Sequence, residues 1–184
     1  MRYWYDTEFH EDGSTIDLIS IGIVCEDGRE YYAVNADADW ARIAQHEWLT
    51  ENVVPHLPPA GSPEWRPHKV IAEDVADFLR PEAVHTWGSM GSRTPRCIYV
   101  DRPELWAWYG AYDHVALAQL WGPMIARPRW IPMWTNDLRQ EQHRLGNPPV
   151  PEQVHGNHDA LADARHNRVI HAALTEYARA HDRA

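Results

Sequence analysis

The two groups of side chains best suited to hold a metal lie at opposite ends of this chain, and any fold that uses both must bring those ends together. Asp6-Thr7-Glu8 lies close to the N-terminus, and His158-Asp159-Ala160-Leu161-Ala162-Asp163 opens a helix near the other end. Residues two apart on a strand project to the same face. Asp6 and Glu8 can therefore grip one divalent cation with hard oxygen donors, and Asp163 is placed to supply a third carboxylate. Five residues of helix turn through about 500°, so His158 and Asp163 cannot share a face if both lie inside the helix. His158 is expected just before it, on the entry loop, where it can hang over the cation and take a proton from bound water.

A pair of cations clamping a phosphodiester needs more acids, and Asp113 is the candidate for the fourth carboxylate. Leu105-Trp106-Ala107-Trp108-Tyr109 reads as a buried strand and Gly110-Ala111 as a turn. Asp113 reads as the N-cap of a helix that carries Leu117, Leu120 and Trp121 inward. Strand, turn, acid and helix in that order aim the carboxylate off a sheet edge.

Taken together, these segments resemble the DEDDh 3'-to-5' exonucleases of the ribonuclease H-like fold, and most of all the small stand-alone exoribonucleases such as RNase T and oligoribonuclease. Asp6 and Glu8 match the first motif, and Ile16-Asp17-Leu18-Ile19-Ser20-Ile21-Gly22 matches the second strand. Tyr112-Asp113 matches the middle motif, and His158 with Asp163 matches the third, so the resemblance spans nearly the whole chain. It implies an α/β fold with a mixed central sheet flanked by helices. It also implies two Mg²⁺ ions, with Mn²⁺ as the alternative, held by Asp6, Glu8, Asp113 and Asp163, and His158 as general base. The implied substrate is single-stranded RNA or a 3' overhang, degraded to nucleoside 5'-monophosphates. By the same resemblance the protein is expected to be a homodimer. The family commonly has a Thr-Gly-hydrophobic turn after the second acid, whose apolar residue wedges against the terminal base. This chain instead reads Phe9-His10-Glu11-Asp12-Gly13, which makes Phe9, with Tyr112, the candidate for substrate contact.

Length and charge set further limits. At 184 residues the chain is expected to form a single exonuclease domain over residues 1–184, with ten Trp and eight Tyr to fill its core. No apolar run approaches the ~20 residues of a membrane span, and the N-terminus enters a charged strand without signal-peptide architecture. A cytoplasmic protein without membrane partners is expected. Cys25 and Cys97 are too few for a disulfide framework. A net charge of −10 argues against coating nucleic acid by counterion release. Residues 1–79 hold sixteen acids against five Lys or Arg, whereas residues 80–184 hold eleven against twelve, so the later part is the one suited to phosphates. Sixteen of the seventeen cationic residues are Arg, which suits bidentate phosphate contacts as well as it reflects compositional bias.

Along the chain, Tyr3-Trp4-Tyr5 begins a first strand, Ile16 to Cys25 forms a second and Glu30 to Val34 a third, as an antiparallel meander turning at Glu26-Asp27-Gly28. Helices are predicted over Trp40–Val53 and Val70–Leu79, with the proline-rich 55–67 segment as a loop. Residues 80–103 read as an excursion, Pro128–Met133 as the place of another short strand and Thr135–Leu145 as a helix. The last helix turns Leu161, Ile170, Leu174 and Tyr177 inward.

Other readings compete with the nuclease. His155, His158, His166 and His171 cluster in sequence, but no zinc-type spacing accompanies them. Trp106, Trp108, Trp121, Trp130 and Trp134 suit base stacking, core or a subunit interface. Arg93, Arg96 and Arg102 suit either a strand-tracking surface or a solvated loop. Asp101, Glu104, Asp137 and Asp159 read as surface charges or caps. A 3'-to-5' DNA exonuclease with the same site is the nearest alternative, because metals see only phosphate. A non-catalytic nucleic-acid-binding domain would be expected to have eroded acids.

Overall fold

The computed structural model describes residues 1–87 and 95–181; Gly88, Gly91, Arg93 and the side chain of Arg96 lie outside what it describes. Strands β1 (Arg2–Glu11), β2 (Ile16–Cys25) and β3 (Glu30–Asn35) form the expected antiparallel meander. The first turn is set by Asp12, whose carboxylate accepts from the N–H groups of Ser14 and Thr15 at 2.9 Å each. That side-chain mimicry of a backbone turn is the usual reason for an acid there.

Two short helices follow in place of one, α1 (Trp40–Ile43) and α2 (Glu47–Asn52). The break has a local cause: His46 leaves helical geometry and its Nδ1 accepts from the Leu49 N–H, capping a fresh start. The proline-rich segment begins with a 3₁₀ turn (Val54–His56) and ends in β4 (Trp65–Arg66), which pairs in parallel with β3. Next come α3 (His68–Phe78), the hairpin β5 (Ala83–Trp87) and β6 (Pro95–Tyr99), β7 (Glu104–Ala107) and α4 (Ala111–Gln119). The strand expected within 128–133 falls instead at β8 (Asn136–Asp137), where Asn136 donates to the Leu105 carbonyl across the sheet. Helices α5 (Leu138–Arg144) and α6 (Ala160–His181) complete the chain.

The central sheet has six strands in the order β4-β3-β2-β1-β7-β8, with β1 in the interior and β7 and β8 parallel to it. Such a mixed sheet flanked by helices is compatible with a ribonuclease H-like fold. Alternation along β1 divides the molecule. Tyr3 and Tyr5 pack with Ile71, Val75 and Leu79 of the α3 region and with Leu117 of α4, and burying each large side chain is worth about 1.5–3 kcal/mol. Trp4 faces the other way, 5.5 Å from the His171 ring on α6. Asp6 and Glu8 continue the Trp4 face, so the alternation that builds the core also presents both acids to α6. No helix among the described residues is long and apolar enough to cross a membrane.

Candidate active site

Gly22 determines how closely α6 approaches those acids. It lies opposite Asp6 in the β1–β2 register. A Cβ on it would stand 2.3 Å from the Ala160 carbonyl oxygen and 2.4 Å from the Leu161 Cα. The first turn of α6 therefore rests on bare backbone beside Asp6. Farther along the helix, Asn167 donates from Nδ2 to the Tyr5 carbonyl at 3.1 Å and fixes α6 to β1. Between these two anchors Asp163 reaches the strand, and ligand oxygens of Asp6, Glu8 and Asp163 all lie within 4.8 Å of one another.

Immediately after Glu8 the β1–β2 register slips, from Glu8 opposite Ser20 to Phe9 opposite Leu18. The extra residue of this bulge, Ile19, belongs to β2, and Phe9 lines the same cavity as Glu8. Its ring lies parallel to Tyr112 on α4, with centroids 5.9 Å apart and planes 6° apart.

Asp113 stands apart from the three-acid cluster but lines the same cavity. It is not the N-cap; Gly110 holds that position, and Asp113 sits within the first turn of α4. The helix begins earlier because the Gly110 N–H is taken by Asp137 Oδ2 at 3.0 Å, which pins the turn to the start of α5. Asp113 Oδ1 accepts from both the backbone N–H (2.9 Å) and the hydroxyl (2.7 Å) of Thr7, the residue between the two acids of β1.

His158 lies before α6, as the helical geometry requires, with a left-handed backbone at φ +65°. Its N–H donates to Asp163 Oδ2 at 2.9 Å, and Gln153 Nε2 donates to Asp163 Oδ1 at 2.6 Å. The His158 ring meets the edge of Trp48, from α2, at 4.9 Å. Asp159 caps α6, accepting from the N–H groups of Leu161 and Ala162.

These acids sit in a cavity of about 640 Å³, and their proximity raises their affinity for protons. Burial pushes Asp6 well above the usual carboxylate range, with Asp113, Glu8 and Asp163 adding repulsion. Glu8 is pushed up to about 8, first by burial and then by Asp163 and Asp113. Burial raises Asp113 to about 6 against the lowering effect of the two Thr7 hydrogen bonds. Asp163 is also raised by burial, while the hydrogen bonds from Gln153 and His158 act to lower it. No Lys or Arg lines the cavity among the described residues, and the ion pairs seen there lie elsewhere. Repelling carboxylates without a resident cation are a donor set suited to a hard divalent ion.

Other sequence expectations separate cleanly. His158 and His166 both line the cavity, but His166 contacts the Pro151 carbonyl, His171 is buried against Trp4 and Trp106, and no group of histidines close enough to share an ion occurs among the described residues. Trp121 and Trp130 donate from Nε1 to the Ala72 and Ala76 carbonyls of α3 and serve the core, whereas Trp108 lines the cavity. Sequence reasoning missed Gln153, Asn167, Trp48 and Thr7. Asn167 had a legible signal, a polar residue, like His171, on the buried stripe of Ala160, Ala164, Ile170 and Leu174. Gln153 had none, because it comes from an irregular loop.

Comparison with known proteins identifies the family. Residues 1–175 match the model of the 3'-5' exoribonuclease Rv2179c-like domain. Two relatives from strains of Mycobacterium tuberculosis, 3'-5' exoribonuclease Rv2179c and 3'-5' exoribonuclease MT2234.1, are each 49% identical over 165 residues, covering 90% of this chain and 88% of the relative. With the family model matching nearly end to end, the chain belongs to the Rv2179c-like 3'-5' exoribonuclease domain family.

Proposed function

We propose that this protein is a divalent-metal-dependent 3'-to-5' exoribonuclease of the DEDDh type, acting on single-stranded RNA or 3' overhangs. The observation that carries the reading is the convergence of Asp6, Glu8 and Asp163 within 4.8 Å, from opposite ends of the chain. The similarity to relatives named as 3'-5' exoribonucleases supports the polarity and the substrate.

In this reading Asp6, Glu8 and Asp163 would hold one cation, and Asp113 together with Asp6 would help to hold a second. Mg²⁺ is the expected ion and Mn²⁺ the alternative. Ions held there would lower the pKa of the attacking water and stabilise the leaving oxygen. They would also offset the negative charge of a cavity that otherwise repels phosphate. His158 takes the proton from the attacking water. The water oxygen bonds to phosphorus, the bond from phosphorus to the 3' oxygen breaks, and that oxygen takes a proton from solvent and stays on the shortened RNA as a hydroxyl. The product is a nucleoside 5'-monophosphate. Phe9 and Tyr112, parallel at the cavity wall, pack the terminal bases. A single 1–184 domain, assembled as a homodimer in the cytoplasm, completes the proposal.

The test is a panel of 5'-labelled single-stranded RNA, single-stranded DNA and duplex with a 3' overhang, run with Mg²⁺, with Mn²⁺ and with EDTA. Cleavage should march from the 3' end, require metal and favour RNA, and a 3'-phosphate should block it. Faster loss of DNA than RNA would point to a DNA exonuclease with the same site. Metal-independent or internal cleavage would overturn the proposal.

A further inference from the structure

Asp163 accepts two hydrogen bonds that close one loop, one from the backbone of His158 and one from Gln153, a residue with no role assigned so far. Oδ1 takes Gln153 Nε2 at 2.6 Å and Oδ2 takes the His158 N–H at 2.9 Å. Residues 153 and 158 bracket the last part of the irregular segment before α6, so a single carboxylate fixes that stretch at two points. A carboxylate has about four lone-pair sites on its two oxygens, which leaves each oxygen able to face a cation as well.

The loop is also pressed against the helix that carries Asp163. Gly156 has φ +79°, and a Cβ there would lie 2.9 Å from the Ala162 Cβ and 3.9 Å from Gln153 Nε2. The Gly156 carbonyl accepts from the Asp159 N–H at 3.2 Å, and the Pro151 carbonyl meets His166 Nε2 at 3.1 Å. His158 itself holds a left-handed backbone, φ +65°. A residue other than glycine keeps such a conformation only where its surroundings impose it. The His158 N–H bond to Asp163 is one such constraint, and the Gln153 amide holds the carboxylate that accepts it.

We infer that Gln153 is a positioning residue that, through the Asp163 carboxylate, sets the place of the His158 ring over the candidate metal site. The inference rests on the general-base role proposed for His158. Without the Gln153 donor, Asp163 is free to rotate, the His158 N–H loses its aligned acceptor, and the ring leaves the attacking water. Such a residue affects the transition state more than substrate binding.

The test is a double-mutant cycle on the full chain with Mg²⁺ and 5'-labelled single-stranded RNA, comparing wild type, Gln153→Met, His158→Ala and the double mutant. Met keeps the length and removes the donor. Gln153→Met should lower kcat about ten- to a hundredfold, as loss of a partner that orients a ligand does. KM should stay within about twofold. In the His158→Ala background the same change should cost less than about twofold, because the group it positions is gone. Gln153→Glu keeps the shape but turns an acceptor toward Asp163, and should lose at least as much kcat as Met. Melting temperatures measured alongside separate a folding defect from misplacement. Wild-type kcat in Gln153→Met or Gln153→Glu would overturn the inference, as would equal losses in both backgrounds after a large His158→Ala effect. Wild-type kcat in His158→Ala would instead remove the general-base reading and this inference with it.

Discussion

Asp6, Glu8 and Asp113 stand on β1 and α4, where a hydrogen-bond ladder and a helix fix their directions, whereas His158 stands on a loop in left-handed backbone. The acids are over-determined. Thr7 ties Asp113 to β1 through two hydrogen bonds, and the β1–β2 register fixes Asp6 opposite Gly22. The histidine depends on one backbone hydrogen bond, an edge contact with Trp48 and a conformation that costs about 1–3 kcal/mol. The comparison teaches a division of labour: the ligand face is held by regular secondary structure, and the proton-accepting side by a few loop contacts that converge on Asp163. Substitutions on the two sides should therefore fail differently.

The largest effect is expected on the rigid side. Asp6→Asn should reduce cleavage to background with the fold intact, because Asp6 is central to the proposed metal site and exposes nothing apolar when changed. Circular dichroism and a metal titration would check both halves of that statement. Substantial turnover by the mutant would break the metal assignment. On the loop side, His158→Ala should lower kcat by about 10²- to 10⁴-fold with KM little changed. If Trp48→Ala gave the same loss while His158→Ala was silent, the contact between them would have been read in the wrong direction.

A smaller effect is expected at the seam between the two regions. Gly22→Ala places a methyl group 2.3 Å from the Ala160 carbonyl oxygen, with backbone rather than a flexible side chain in the way. Overpacking of this kind costs about 1–3 kcal/mol. It should also push α6, and Asp163 with it, away from Asp6 and Glu8, so metal affinity should fall together with stability. Loss of melting temperature without a weaker metal midpoint would show that α6 does not depend on this seat.

Much of the rigid side was legible in the sequence, and for physical reasons. The strand period of two along Tyr3-Trp4-Tyr5-Asp6-Thr7-Glu8 and the isoleucine-rich run of β2, interrupted only at Asp17, Ser20 and Gly22, leave few registers that bury the core. The Asp6 and Glu8 face follows from that alone. Where a side chain outside the pattern decided the outcome, the reading missed. His46 as a cap split the helix expected over Trp40–Val53, and the Asp137 bond to Gly110 started α4 before Asp113. The short β8 pairing was missed because two residues carry no periodicity. Gln153 was illegible because the partner that gives it meaning is on another element and the loop between has no repeat to read.

The smallest expected effect concerns protons. In the metal-free protein Glu8 has an affinity for protons raised from 4.5 to about 8, chiefly by burial and then by Asp163 and Asp113. A carboxyl whose pKa is raised by folding binds protons more tightly in the native state than in the unfolded chain. Its contribution to stability is therefore present below 4.5 and is lost as the pH rises toward 8. Asp6, Asp113 and Asp163 shift in the same direction. The melting temperature of the metal-free protein should thus carry a falling component across that window, and Glu8→Gln should flatten it. Mg²⁺ requires the ionised acids, so the rise in melting temperature that it gives should grow with pH over the same range. A metal-free slope identical in wild type and Glu8→Gln, with a Mg²⁺ effect indifferent to pH, would show that burial and the neighbouring carboxylates do not raise the proton affinity of Glu8.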